Sequence, residues 1–209
     1  MLKQIINGRI LTPEGWLEGG SVIIDGNKIK AVSNSDLHIV DAEIIDAKGC
    51  HIVPGRIETH VHGAGGRDFM EGSEEAFRVA IKAHMKHGTT SIFPTLSSST
   101  VPMIEAACET CEKLMAEENS PVLGLHLEGP YFNPKQSGAQ IPEGIKPPVA
   151  EEYEPLLDKY HCRKRWDEAP DLPGSAEFIK SCRKHGVIAA IGHTRATYED
   201  VVAGHDAGM

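Results

Sequence analysis

From residue 54 to residue 209 the sequence alternates between short apolar runs and longer stretches with helical periodicity. Strands that alternate with helices form right-handed parallel βα units, so this part of the chain is restricted to an α/β fold with a parallel sheet. The pattern predicts five strands, which is five-eighths of a (β/α)8 barrel. The first strand ends at His62, and the others are expected at 89–95, 121–127, 162–166 and 187–191; the helices are expected at 73–87, 100–118, 150–157, 175–185 and 197–207.

We therefore predict a partial (β/α)8 TIM-like barrel of about five βα units. An open, doubly wound sheet is the alternative architecture. It is disfavoured because no Gly-rich phosphate-binding turn follows a strand: Gly63-Ala64-Gly65-Gly66 opens a loop and lacks the G-x-G-x-x-G spacing. We expect these glycines to let the backbone pass close to a metal or a substrate.

The first 53 residues follow a different pattern. They contain short β-branched runs at 4–11, 21–32 and 43–47, separated by turn residues, and no helical pattern. Asp25-Gly26-Asn27 between two apolar runs is a strong hairpin signal. We predict a small β-sandwich segment at residues 1–53, followed by the barrel domain at residues 54–209.

Composition limits the partners and the compartment. The net charge is −9 and there is no long basic run, which argues against nucleic acid as a partner. No long apolar span or signal peptide is present, so no membrane association is expected. The five cysteines show no framework spacing, as expected for a reduced cytoplasmic protein. Cys108 and Cys111 fall on the apolar stripe of a predicted helix, which favours buried thiols over a redox or zinc pair.

Four candidate metal ligands each follow a predicted strand. Because side chains alternate along a strand, His60 and His62 point the same way. Glu128 ends the strand Leu125-His126-Leu127-Glu128, and His193 follows the last predicted strand. Metal-type side chains at the carboxyl ends of parallel strands indicate a metal site at one end of a barrel. His126 shares a face with Glu128, and it is either a partner of the ligands or a core histidine.

The order of these motifs resembles the amidohydrolase superfamily and, within it, the N-acetylglucosamine-6-phosphate deacetylases. The resemblance covers the whole chain, and its most specific feature is the His-Leu-Glu-Gly-Pro block at 126–130. It is also carried by 54–63, 137–140 and 192–197. Chains of that family are much longer, so we expect this sequence to be the N-terminal part of such an enzyme, inactive and poorly stable alone.

The resemblance implies that Glu128 and His193 hold the principal metal, with His60 and His62 as the superfamily's histidine pair. It implies one or two divalent ions, zinc in type, and substrate contacts at Ala139 and Gln140. The catalytic Asp that serves as general acid and base is expected beyond Met209. The implied reaction is the metal-dependent hydrolysis of N-acetyl-D-glucosamine 6-phosphate to D-glucosamine 6-phosphate and acetate, with a small-molecule amino-sugar phosphate as substrate and a homodimer as the full-length assembly.

Two other functions remain open at this point. One is another amidohydrolase activity, of the dihydroorotase or deaminase type; those enzymes usually carry a carbamylated Lys or a His where this chain has Glu128. The other is a non-catalytic metal-binding fragment. The chemistry fits hydrolysis, because a divalent ion with His and carboxylate ligands lowers the pKa of a bound water from about 15.7 to about 7.

Overall fold

The computed structural model describes residues 1–35 and 39–209. The chain divides into two compact units, Met1–Gly55 and Arg56–Met209. The first is built from strands and the second from alternating strands and helices.

The first unit contains seven strands in two sheets among its described residues. The four-stranded sheet has the order β5-β4-β1-β6 and the three-stranded sheet the order β3-β2-β7. The hairpin predicted at Asp25-Gly26-Asn27 is confirmed, because β4 and β5 pair antiparallel with Asp25 opposite Lys28. The strands are β1 (Leu2–Ile6), β2 (Arg9–Thr12), β3 (Gly15–Leu17), β4 (Ser21–Asp25), β5 (Lys28–Ser33), β6 (Glu43–Asp46) and β7 (His51–Ile52).

The second unit is organised around a parallel sheet of five strands in the order β14-β13-β12-β11-β8. These strands are neighbours in the sheet in the same order as in the chain. A doubly wound sheet reverses its order at a switch point, so this topology favours the barrel-type alternative. The strands are β8 (Arg56–Val61), β9 (Gly63–Ala64), β10 (Arg67–Asp68), β11 (Thr89–Leu96), β12 (Leu125–Glu128), β13 (Arg163–Glu168) and β14 (Ile188–Ile191).

Five α-helices connect and follow these strands: α1 (Glu74–Met85), α2 (Val101–Met115), α3 (Ala150–Lys159), α4 (Ser175–Lys184) and α5 (Tyr198–Ala207). Helix α1 begins where predicted, because the Ser73 side chain accepts a hydrogen bond from the Ala76 N–H. Cys108 and Cys111 of α2 are buried free thiols, as predicted. Within the described ranges, no helix combines the length and apolar character needed to cross a membrane.

One predicted strand is shorter than expected. The pattern gave 121–127, whereas β12 covers only Leu125–Glu128. Val122 forms an isolated bridge to Ile92 instead of joining the strand. The early part of the segment is held at one point only, so the continuous ladder begins three residues later.

The glycines after His62 form part of a small hairpin. Gly63–Ala64 and Arg67–Asp68 pair antiparallel as a small hairpin, β9–β10. Gly65 and Gly66 form its turn with φ values of 64° and 79°, the left-handed conformation that glycine adopts most easily. A Cβ on Gly63 would lie 2.1 Å from the Arg67 carbonyl oxygen. The glycine run is therefore explained by hairpin geometry.

Side chains of the parallel sheet alternate between an apolar layer and a polar face. Leu127 and Trp166 are register partners in the apolar core, where Phe178 also packs. Because neighbours along a strand point to opposite faces, Glu128 and its register partner Asp167 lie on the other face. The polar face at the carboxyl ends of the strands carries the candidate metal ligands.

Candidate metal centre

The four predicted ligands lie at the carboxyl end of the parallel sheet. His60 is the second-last residue of β8, and His62 follows that strand directly. Glu128 is the last residue of β12, and His193 lies two residues beyond β14. The alternation of side chains along β8 turns both imidazoles toward Glu128. The side chain of Glu128 is nearly buried, at 10% exposure, whereas those of His60 and His62 are 39% and 40% exposed.

Three donor atoms form a small triangle. His60 Nε2 lies 3.2 Å from His62 Nε2, and Glu128 Oε2 lies 3.4 Å and 3.1 Å from these two nitrogens. Ligands at the usual zinc distances of about 2.0–2.1 Å in a tetrahedral site are separated by about 3.3 Å. The triangle therefore has the size of one face of a zinc coordination tetrahedron. His60, His62 and Glu128 are referred to below as the first set.

His193 approaches the same carboxylate from the other side. Its Nε2 lies 3.1 Å from Glu128 Oε1, whereas His60 and His62 face Oε2. The structure thus brings all four predicted ligands together around one carboxylate. Since each carboxylate oxygen has its own imidazole partners, the arrangement is compatible with one ion or with two.

Hydrogen bonds to the remote ring nitrogens orient two of the imidazoles. His62 Nδ1 lies 3.2 Å from Ser97 Oγ, and His193 Nδ1 lies 3.0 Å from the Gln136 carbonyl oxygen. A carbonyl only accepts, so His193 carries its proton on Nδ1 and leaves Nε2 free to bind a metal. Gly138 also lies against this ring, where a Cβ would be 3.3 Å from Cε1 of His193.

The electrostatics of the site favour a charged carboxylate. Burial alone would raise the pKa of Glu128, but the neighbouring imidazoles of His62 and His193 lower it to about 2. The same carboxylate raises the pKa of His62 above its ordinary value. Burial lowers the pKa of His60. Two neutral imidazoles and a carboxylate are the donor set of a borderline-soft divalent ion, and these residues fit zinc.

Asp171 lies in the loop after β13 and is hydrogen-bonded to the loops after β12 and β14. The Asn133 side-chain amide donates to Asp171 Oδ2 at 2.5 Å, and the Thr194 hydroxyl donates to Asp171 Oδ1. The Asn133 N–H also donates to the His193 carbonyl oxygen at 3.0 Å. Asn133 lies in the loop that begins after the candidate ligand Glu128, and Thr194 directly follows the candidate ligand His193. Asp171 therefore fixes the spacing between these two ligands.

The two predicted substrate residues lie in the loop after β12. Gln140 is nearly buried, and its side-chain oxygen accepts a hydrogen bond from the Ser98 N–H at 2.7 Å. This contact ties the loop to the segment after β11. Ala139 is exposed. Substrate contact by either residue stays a prediction.

Sequence reasoning missed several residues that support the site. No role was predicted from the sequence for Ser97, Asp167 or Asp171. Asp167 could have been found from the sequence, because it is a polar residue at the end of a predicted strand, as the ligands are. His126, expected to be either a partner of the ligands or a core histidine, is fully buried, and its ring packs edge-on against the His60 ring with the centroids 4.8 Å apart. His84 of α1 also approaches the site, since its Nε2 lies 3.3 Å from the Gly63 carbonyl oxygen, just beyond His62.

Known proteins resemble this chain along nearly its whole length. It is 30% identical over 207 residues to N-acetylgalactosamine-6-phosphate deacetylase of Escherichia coli O157:H7, covering 96% of this chain and 52% of that protein. It is 28% identical over 204 residues to N-acetylglucosamine-6-phosphate deacetylase of Lysinibacillus sphaericus, covering 94% and 51%. The chain thus spans about half the length of the relatives it matches.

A solved structure extends the likeness to the fold. The crystal structure of N-acetylglucosamine-6-phosphate deacetylase from Pasteurella multocida superposes with a TM-score of 0.92 at 27% identity, covering 100% of this chain and 55% of that one. These matches confirm the resemblance drawn from the sequence motifs. Residues 51–207 match the amidohydrolase family, and the chain belongs to that family.

Proposed function

We propose that this chain supplies the metal-binding part of an enzyme that hydrolyses N-acetyl-D-glucosamine 6-phosphate to D-glucosamine 6-phosphate and acetate. The observation that carries the proposal is the convergence of His60, His62 and His193 on Glu128 at the carboxyl end of a parallel sheet. Relatives named as amino-sugar-phosphate deacetylases match this chain over 96% and 94% of its length.

The four ligands define what the site does chemically. Glu128 and the three histidines would hold one or two divalent ions, with zinc as the proposed metal. A bound ion of this kind supplies Lewis acidity for attack of water on an amide carbonyl. Ser97 and Gln136 hold His62 and His193 in orientation, and Asp171 sets the distance between the loops.

The resemblance assigns proton transfer to an Asp outside residues 1–209, and we assign that step to no described residue. Ala139 and Gln140 are proposed to contact the substrate from the loop after β12. We also propose that the five βα units form part of a (β/α)8 barrel, and that residues 1–53 and 54–209 act as separate domains. The full-length enzyme is proposed to be a cytoplasmic homodimer, in keeping with its free cysteines.

The names of the relatives leave two sugars to compare, since one of them acts on the galactosamine form. The decisive experiment measures amide hydrolysis by the zinc-loaded full-length protein, as acetate released from the acetylated sugars and as carbamoyl aspartate formed from dihydroorotate. The substrates are the 6-phosphates of N-acetylglucosamine and N-acetylgalactosamine, unphosphorylated N-acetylglucosamine, and dihydroorotate. We expect turnover of the glucosamine phosphate to exceed that of the other compounds.

A Glu128→Gln variant serves as the matched control, because it keeps the shape of the side chain and removes its charge. We expect it to lose at least 100-fold in kcat/KM, in line with the loss of a group that acts at the reacting centre. Preference for dihydroorotate would overturn the assignment. Full activity of the Gln variant would show that the site lies elsewhere.

A further inference from the structure

A second group of metal-type side chains adjoins the first set. It comprises His60, His126 and Asp167, whose donor atoms all lie within 4.8 Å of one another. His126 belongs to β12 and Asp167 to the neighbouring strand β13. We propose that this second set binds a divalent ion of the zinc type, at lower affinity than the first set.

Two of the three side chains of the second set are shielded from water. His126 is fully buried and Asp167 is only 4% exposed. Buried polar atoms almost always have a hydrogen-bond partner, and each exception requires an explanation. His126 Nε2 is such an exception among the described residues, because it is buried and makes no hydrogen bond.

The hydrogen bonds of Thr95 indicate which ring nitrogen of His126 carries the proton. Thr95 Oγ1 accepts the Val61 N–H at 3.0 Å and can donate its single proton to the Phe93 carbonyl oxygen at 3.3 Å. His126 Nδ1 lies 3.1 Å from the same hydroxyl oxygen. With the hydroxyl proton used on Phe93, Nδ1 is the donor, and Nε2 carries a lone pair.

That lone pair faces a carboxylate. His126 Nε2 lies 3.1 Å from Asp167 Oδ1, although the alignment is not that of a hydrogen bond. Two acceptor atoms at this distance repel each other unless a cation lies between them. The distance is close to the separation of about 3.3 Å expected for neighbouring zinc ligands. Two imidazoles and one carboxylate suit a zinc-type ion better than magnesium or calcium.

Two features make the second set the weaker one. Arg165 donates to both oxygens of Asp167, at 2.6 Å and 2.9 Å. This contact fixes the orientation of the carboxylate, as partners of metal ligands commonly do, but its positive charge opposes a cation nearby. In addition, His60 belongs to both sets, so the sets compete for one imidazole. We therefore expect the second ion to bind at least tenfold more weakly than the first.

The test is equilibrium dialysis of the full-length protein against increasing zinc, with bound metal measured by mass spectrometry. The wild type should show a tight phase and a weak phase. A His126→Gln variant should keep the tight phase and lose the weak one, reducing the bound zinc by about one ion per chain. A Glu128→Gln variant should weaken the tight phase and keep the weak one, which separates this proposal from the proposed function.

An Asp167→Asn variant repeats the test at a second residue, and the melting temperature of each metal-free variant shows that it is folded. Loss of the weak phase in both folded variants supports the second set. A weak phase that is unchanged in either folded variant, or a wild type that binds no more zinc than His126→Gln, overturns it. A missing tight phase would count against the proposed function alone.

Discussion

Glu168 allows a sharp test of the electrostatics of the second unit. It ends β13, is fully buried, and its Oε1 has no hydrogen-bond partner among the described residues. Ser175 Oγ lies 2.7 Å from Glu168 Oε2 and 2.8 Å from the Ala169 carbonyl oxygen. One hydroxyl proton cannot serve both acceptors. A protonated Glu168 resolves the conflict, because it donates to Ser175 while Ser175 donates to Ala169.

Burial raises the pKa of Glu168 from 4.5 to about 7. Above about pH 4.5 the folded state therefore binds more protons at this site than the unfolded state does. Stability must fall as the pH rises through this window and level off above about pH 7. With these two pKa values, the free energy of unfolding falls by about 2–3 kcal/mol between about pH 5 and about pH 8 because of this residue.

The assay is urea unfolding of the metal-free protein and of a Glu168→Gln variant at these two pH values. All other titrating groups are shared, so they cancel when the two pH-dependent changes are subtracted. The wild type should lose about 2–3 kcal/mol more than the variant. Glu177→Gln, which changes an exposed residue of α4, is the matched control and should behave like the wild type. Equal pH dependence in wild type and Glu168→Gln would refute the reasoning.

Three further predictions follow from the site and the core. Glu128→Ala should weaken zinc binding tenfold or more in calorimetric titration, because it removes the carboxylate on which all three imidazoles converge. Unchanged affinity would exclude Glu128 as a ligand. Zinc affinity should fall with decreasing pH from a midpoint above 6.5, because the raised pKa of His62 makes protons compete with the metal; a flat profile from pH 8 to pH 6 would contradict this. In the native protein one thiol of five, that of exposed Cys50, should react rapidly with a thiol reagent, and reaction of more thiols would show that the core is more open.

The order of strands and helices in the second unit could be predicted because each element carries its own periodic pattern. Helix α1 shows this most clearly, since Ser73 caps it and apolar residues face the core. Element ends were less predictable. The start of β12 depends on whether its neighbours offer a continuous ladder, and β11 contacts residue 122 only through one bridge at Ile92. The pattern of apolar residues in this segment does not show which of them will pair with a neighbouring strand.

The candidate ligands were found because period-two alternation and strand ends are local signals. Their supporting contacts were not, because they join residues far apart in the chain. Ser97 reaches His62 only when β11 pairs with β8. Asp167 lies beside Glu128 only because of the register between β12 and β13. Such contacts depend on tertiary geometry, and no short window of sequence encodes them.

The sequential strand order of the parallel sheet has a consequence for synthesis on the ribosome. Each of its five strands pairs only with the strand made immediately before or after it. The sheet can therefore grow from one edge as the chain emerges, with each finished strand serving as the template for the next. Under this order the first set is complete once β12 has joined the sheet, before His193 has been translated. We expect a nascent chain stalled shortly after α3 to bind zinc. Measuring the zinc bound to ribosome-attached chains of increasing length would show the length at which binding begins.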